Sequence, residues 1–143
     1  MMSVLFVACG TSEKIVSFKK KSSETGIYEF DLNGTAHKVL DNDSTTYTLK
    51  SKPSITIEKF ELLEISDECY AGEICVDFKF NDEGTKEYTA LTERNLNNQI
   101  FYVIDGVVIS DPNVMGVIND GMGQFPIKEK YFDSLFVLKW KYY

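Results

Sequence analysis

An α+β fold, with an antiparallel or mixed sheet covered by two helices and an additional N-terminal β-hairpin, follows from three observations. Short alternating strands dominate the first half of the chain, and two segments with helical spacing break up the second half without strict strand–helix alternation. Eight Tyr and ten Phe in 143 residues suit a pleated, half-buried surface better than isolated helices. A chain of this length buries one substantial core. Its 43% hydrophobic and 26% charged residues are ordinary globular usage.

The elements read in order as follows. Ser3-Val4-Leu5-Phe6-Val7-Ala8-Cys9-Gly10 is a short apolar run with a small residue before a cysteine. It is similar to the end of a bacterial lipoprotein signal, in which Cys9 carries lipid; the competing reading is a plain apolar N-terminal segment. The run is shorter than a usual signal core of roughly 7 to 15 residues, and no Lys or Arg precedes it. Residues 1–9 are thus assigned to a truncated signal segment and residues 10–26, rich in Ser, Thr, Lys and Glu, to a polar tether. A single domain over residues 27–143 follows. Tyr28, Phe30 and Leu32 alternate with Glu29 and Asp31, and Asn33-Gly34 before residues 35–40 predicts a hairpin. Residues 41–44 read as a second turn, after which residues 45–49 are β-prone until Lys52-Pro53. Residues 55–66 fit either one helical turn capped by Thr56 or, preferably, a turn leading into a strand.

The loop at residues 67–73 then returns the chain into the alternating strand 74–80. Asn81 or Asp82 caps a helix whose Thr85, Tyr88, Leu91 or Thr92, and Leu96 share a face. Residues 99–110, apolar on both sides of Asp105-Gly106, predict a hairpin within a covered sheet. Residues 119–123 read as a flexible loop, after which Pro126 opens a helix with a stripe of Tyr131, Phe132, Leu135, Phe136 and Leu138. Trp140, Tyr142 and Tyr143 close the chain as an added strand. Residues 76–138 therefore read as one compact strand-helix-hairpin-helix unit.

Charge and composition narrow the chemistry. Fifteen basic against twenty-two acidic residues give a formal charge of −7, which leaves little to drive counterion release from a nucleic acid. The basic run Lys19-Lys20-Lys21 reads as a solvated linker, with attraction to anionic lipid as the minor alternative. No stretch approaches the ~20 apolar residues needed to span a bilayer as a helix. Of the three cysteines, acylation of Cys9 would leave Cys69 and Cys75 as an even pair. They fit a small disulfide in an oxidising compartment, two reduced thiols, or a metal pair that lacks further ligands. Alternation places Cys75 on the face of Asp77 and Lys79, away from the core and reachable.

His37, the one histidine, lies in a predicted hairpin strand without a nucleophile in a recognisable setting. The Asp41-Asn42-Asp43 cluster lacks the glycine and closing glutamate of a calcium loop. Asn119-Asp120-Gly121-Met122-Gly123 lacks the Gly-Lys-Ser/Thr ending of a phosphate loop. The acid pairs Glu58 with Glu61 and Glu83 with Glu87 read as solvated faces. No catalytic residue, metal site or cofactor motif is assigned.

Four separated segments carry a family resemblance: Phe78-Lys79-Phe80-Asn81-Asp82-Glu83-Gly84, Thr92-Glu93-Arg94-Asn95, Ile104-Asp105-Gly106-Val107-Val108-Ile109-Ser110-Asp111-Pro112, and Gly121-Met122-Gly123-Gln124. Over residues 76–138 the chain resembles the head subdomain of the first periplasmic domain of SecD/SecDF, a protein-export membrane protein. It departs from that pattern at Asp111, where the family has a small residue, and in the aromatics of the last helix. The resemblance implies a non-enzymatic extracytoplasmic module of the bacterial cell envelope that binds polypeptide or an envelope protein as an accessory to export. Membrane contact would come only through the lipid anchor. The alternative is a structural or interaction lipoprotein with no role in export. Covered sheets bind peptides at edges or grooves, so the candidate binding loops are Asp105-Gly106 and Gly121-Met122-Gly123.

Overall fold

A computed structural model describes residues 12–66 and 69–142, and within them side chains from Lys14 to Trp140. Two sheets face one another across the main core. The first has five strands in the order β10-β7-β6-β1-β11. These are β1 (Ser12–Phe18), β6 (Phe60–Ile65), β7 (Glu73–Phe80), β10 (Met122–Lys128) and β11 (Phe136–Tyr142). The second has six, β4-β3-β9-β8-β2-β5. These are β2 (Gly26–Tyr28), β3 (Phe30–Val39), β4 (Asn42–Leu49), β5 (Ile55–Thr56), β8 (Phe101–Ile104) and β9 (Val107–Ser110). Pairing is antiparallel except between β3 and β9, which run parallel at Val39 and Val108. Helix α1 (Asp82–Arg94) and helix α2 (Glu129–Leu135) complete the fold. The α+β class and the two helices stand; a single covered sheet does not.

The core shows why these residues form these elements. Val16, Leu63, Val76, Phe78, Phe80, Phe125 and Ile127 from the first sheet meet Ile27, Ile55, Tyr102 and Ile104 from the second. Strand β8 is buried on both faces. Tyr102 and Ile104 enter the main core, and Phe101 and Val103 enter a smaller cluster with Tyr28, Leu49 and Val108. The covered position expected of residues 99–110 thus holds for β8, whereas in β9 only Val108 is buried. Asp105 (φ 49°) and Gly106 (φ 84°) both occupy left-handed backbone, as the two-residue turn joining β8 to β9 requires. Helix α1 begins at the predicted cap: Asn81 Oδ1 accepts from the Gly84 amide at 2.8 Å, and Tyr88, Leu91 and Thr92 form its buried face.

Several expectations are corrected. Residues 12–18 are not tether but strand β1, paired along its whole length with β11. The hairpin turn is not at Asn33-Gly34. Phe30 and Thr35 both stand opposite Leu49, so residues 31–34 bulge out of β3, and the chain reverses instead at Asp41 (φ 63°), where the second turn is expected. Tyr28 is buried as the alternation predicts, but Glu29 is buried as well, and the bulge leaves Phe30 and Leu32 exposed, so the predicted alternation breaks after Tyr28. Pro126 does not open a helix; it lies inside β10, and Met122 and Gly123 belong to that strand and not to a loop. Because β10 is an edge strand, the missing N–H of Pro126 costs no ladder hydrogen bond. Phe136 and Leu138 extend β11 instead of α2. Residues 76–138 are therefore split between two sheets, each completed by strands from outside that unit. Cys75 is 1% exposed and not reachable, because its sulfur is bonded to that of the exposed Cys69 (Cα–Cα 5.6 Å).

Candidate functional site

An apolar concave surface arises where the first sheet comes apart. Strand β1 is fully paired to β11 and β6 to β7, but β1 meets β6 at one position only, Ile15 opposite Glu64. Beyond that point the strands diverge toward Phe18 and Phe60. The cause is local: β6 follows a 3-10 turn (Ile57–Lys59) and carries an irregularity between Phe60 and Leu62 against β7. A bulge of this kind bends and twists its strand. The resulting groove has a volume of about 370 Å³.

Val16 and Phe18 line one side of the groove, and Ile57, Phe60, Leu62 and Leu63 line the other. Phe18 and Phe60 meet edge to face at 5.5 Å, and Phe60 continues into Phe78 and Phe125 at 5.4 and 5.8 Å. The floor is thus an aromatic cluster anchored in the core. Lys21, Glu58 and Glu61 stand exposed at the rim. Two strand rims with an apolar floor offer an extended polypeptide both backbone partners and side-chain contacts.

The predicted site residues fall in different places. Met122 and Gly123 line a second trough, of about 480 Å³, with Leu62, Glu64, Phe78 and Lys79, so the structure brings them beside the groove through the shared Leu62. Asp105 and Gly106 belong to the other sheet and are tied down. The Asp105 amide donates to Thr25 Oγ1 at 2.9 Å, its carboxylate pairs with Lys20 at 3.5 Å, and the Gly106 carbonyl accepts from His37 Nδ1 at 3.0 Å. That turn is an anchor. Cys9 lies outside the described residues. Glu73 has a ligand atom within 4.8 Å of both Cys69 and Cys75, but with the two sulfurs bonded to each other neither is a thiolate able to hold a metal. Asp41 is engaged by Lys128 and Tyr131, and the hydrogen bond from Lys128 above all holds its carboxyl at about 2. Glu83 and Glu87 share Lys59 at 2.7 and 3.7 Å. Asp111, the departure from the family pattern, accepts from the Tyr47 hydroxyl at 2.5 Å and from Gln99 at 3.1 Å; its carboxylate, with burial second, pushes the Tyr47 hydroxyl up.

The groove residues Phe18, Phe60 and Leu62 were not among the predicted site residues. The signal was present in Ile15-Val16-Ser17-Phe18, a β-branched and aromatic run masked by its lysine- and serine-rich surroundings.

Comparison with known proteins adds the family. The model of the SecDF P1 head subdomain matches residues 32–129. The SecD translocase subunit of Dictyoglomus turgidum is 31% identical over 81 residues, covering 57% of this chain and 19% of that protein. The SecD subunit of Acidaminococcus fermentans is 37% identical over 54 residues, 38% of this chain and 13% of that protein. The chain thus spans less than a fifth of these relatives. A solved structure of SecDF, described as a membrane component that enhances protein export, superposes with a TM-score of 0.54 at 14% identity over 87% of this chain and 59% of the other. The super-membrane-facing form of SecDF gives 0.56 at 14% identity, over 84% of this chain and 22% of the other. At that identity the two structures speak to the fold.

Proposed function

The chain belongs to the SecDF P1 head subdomain family, and from that premise we propose that it is a non-enzymatic, extracytoplasmic module that binds extended polypeptide in support of protein export. The observation that carries this reading is the groove between β1 and β6. It is apolar, aromatic-floored and bounded by two strands that share a single paired position. An unfolded chain in transit presents what such a groove accepts: apolar side chains on alternating positions and free backbone amides and carbonyls. One edge of the first sheet, β10, is blunted by Pro126, which disfavours strand addition there; the other edge is β11, and the groove differs from both in adding an apolar floor between two strand rims. The Cys69–Cys75 disulfide fits an oxidising compartment, and lipid on Cys9 would hold the module at the membrane.

The test is a photo-crosslinking amino acid placed at Leu62 in cells, with Met122 at the neighbouring trough and Asp105 at the anchored turn as comparisons. Capture of many different unfolded exported chains from Leu62, fewer from Met122 and none from Asp105 is the expected result. Capture of one folded envelope protein from all three positions would replace export with a structural, interaction-only role.

A further inference from the structure

The β1–β11 ladder runs past the end of the core. On its inner face Phe136 is buried, but Leu138 is 41% and Trp140 50% exposed. Lys14 stands opposite Trp140 in the register, with its Nζ 5.3 Å from the ring centroid. Lys139, on the next position of β11, is exposed. In a chain of formal charge −7 the octet at residues 136–143 holds two lysines and no acid. The nearest acids in the register are Glu13, opposite Lys141, and Glu64, opposite Ile15. Exposed tryptophan and leucine flanked by lysine is the composition of a surface seated at the boundary between lipid headgroups and acyl chains.

Position within the chain points the same way. This end of the ladder is where β1 starts, three residues after Cys9 and the apolar run Val4-Leu5-Phe6-Val7-Ala8. The basic run Lys19-Lys20-Lys21 lies at the opposite end of β1 and is committed elsewhere. Lys19 donates to the Asp133 carbonyl, Lys20 pairs with Asp105, and Lys21 rims the groove.

We propose that the Lys14–Leu138–Trp140 end of the β1–β11 ladder is a membrane-docking surface that seats on anionic lipid; this rests on the extracytoplasmic, membrane-side placement proposed above. The acidic remainder of the protein is repelled by the same surface, which orients the molecule with this end down. Strand β1, at about 3.3 Å per residue, then carries the groove residues Val16 to Phe18 about 7 to 13 Å beyond Lys14.

Trp140 is the only tryptophan, so its fluorescence reads the surface directly. The full chain carrying Cys9→Ser, which removes any acyl contribution, is titrated with vesicles of equimolar phosphatidylglycerol and phosphatidylcholine, and with phosphatidylcholine alone. On the anionic vesicles the emission shifts blue, is quenched by brominated acyl chains, and reverts at high salt. Lys14→Glu and Lys139→Glu each weaken vesicle affinity several-fold with unchanged thermal melts. Two outcomes overturn the proposal: vesicle binding with Trp140 still open to iodide, or a Trp140 shift that follows self-association through the β11 edge without lipid. Intact crosslinking from Leu62 alongside a silent Trp140 would sink the docking surface and leave the polypeptide reading standing.

Discussion

Glu29 shows how a single side chain fixes the relation between segments distant in sequence. Its carboxylate, with 7% side-chain exposure, accepts from Arg94 Nε and Nη2 at 2.7 and 2.9 Å, Asn95 at 2.8 Å, Ser54 at 2.5 Å and Lys50 at 3.2 Å. One buried anion thereby ties the β2–β3 junction to the end of α1 and the β4–β5 connection. The Arg94 fork is the main reason its pKa is held far below the usual carboxylate range, against the opposing effect of burial. A depressed folded pKa means the contribution to stability is complete above the unfolded value of ~4.3 and drains away as pH falls toward the folded one. Replacing Glu29 by Gln at pH 7 is expected to cost about 2 kcal/mol, the scale of charge-assisted hydrogen bonds. Urea melts should show the gap to the unmodified protein narrowing below pH ~4; a gap constant from pH 7 to pH 3 would contradict the ion-pair account. Nothing in the alternation of Tyr28, Phe30 and Leu32 marks Glu29 as buried. Its partners come from residues 50–54 and 94–95, and one sequence does not show which remote segments will meet.

Strand β10 carries the same lesson at the scale of an element. Met122-Gly123-Gln124-Phe125-Pro126-Ile127-Lys128 has strand alternation in Phe125 and Ile127, both buried, but its glycine and proline read as loop and helix start. Edge position reconciles them: proline needs no ladder partner there, and Gly123 lets the backbone press onto the Phe78 ring. A Cβ at Gly123 would sit 2.2 Å from Phe78 Cζ. The Phe78 ring is held by Phe60, Phe80, Tyr88, Tyr102 and Phe125 and has nowhere to move. Gly123→Ala should therefore destabilise by roughly 2 kcal/mol, in the range for overpacking a filled site. A lowered melting midpoint with unchanged crosslinking from Leu62 per folded molecule would identify Gly123 as a packing residue. Unchanged stability with lost capture would return it to the binding role assigned from sequence. The elements that were legible, α1 and the β8–β9 hairpin, are those whose cap, turn and apolar period lie within one short stretch. The groove was illegible for the converse reason, since it exists only because β1 and β6, more than forty residues apart, meet at one position and part.

At the scale of the molecule, the family segment and the folding unit do not coincide. The SecDF head match spans residues 32–129, whereas both sheets draw strands from outside it. Strand β2 sits between β8 and β5, and its Ile27 and Tyr28 are 0% and 1% exposed. Strands β1 and β11 form one edge of the first sheet, where Val16 and Phe136 are 4% and 2% exposed and Phe18 stacks on Phe136 at 5.5 Å. The pairing of Ser12 with Tyr142 joins the two ends of the described chain, a contact that local patterning does not announce. A fragment of residues 32–129 would lose these side chains and leave β5 without a neighbour. Each large buried residue removed costs on the order of 2–5 kcal/mol, so losing four costs roughly 8–20 kcal/mol, as much as the roughly 5–15 kcal/mol by which an ordinary domain is stable. The fragment is expected to lack near-ultraviolet circular dichroism and amide dispersion in nuclear magnetic resonance spectra, while residues 12–143 unfold in one cooperative step. A fragment that melts cooperatively within a few degrees of the longer chain would show that β1, β2 and β11 merely decorate a self-sufficient head. In that event the groove between β1 and β6, and the lipid-facing end of the β1–β11 ladder, would be additions to the head and not parts of its folding unit.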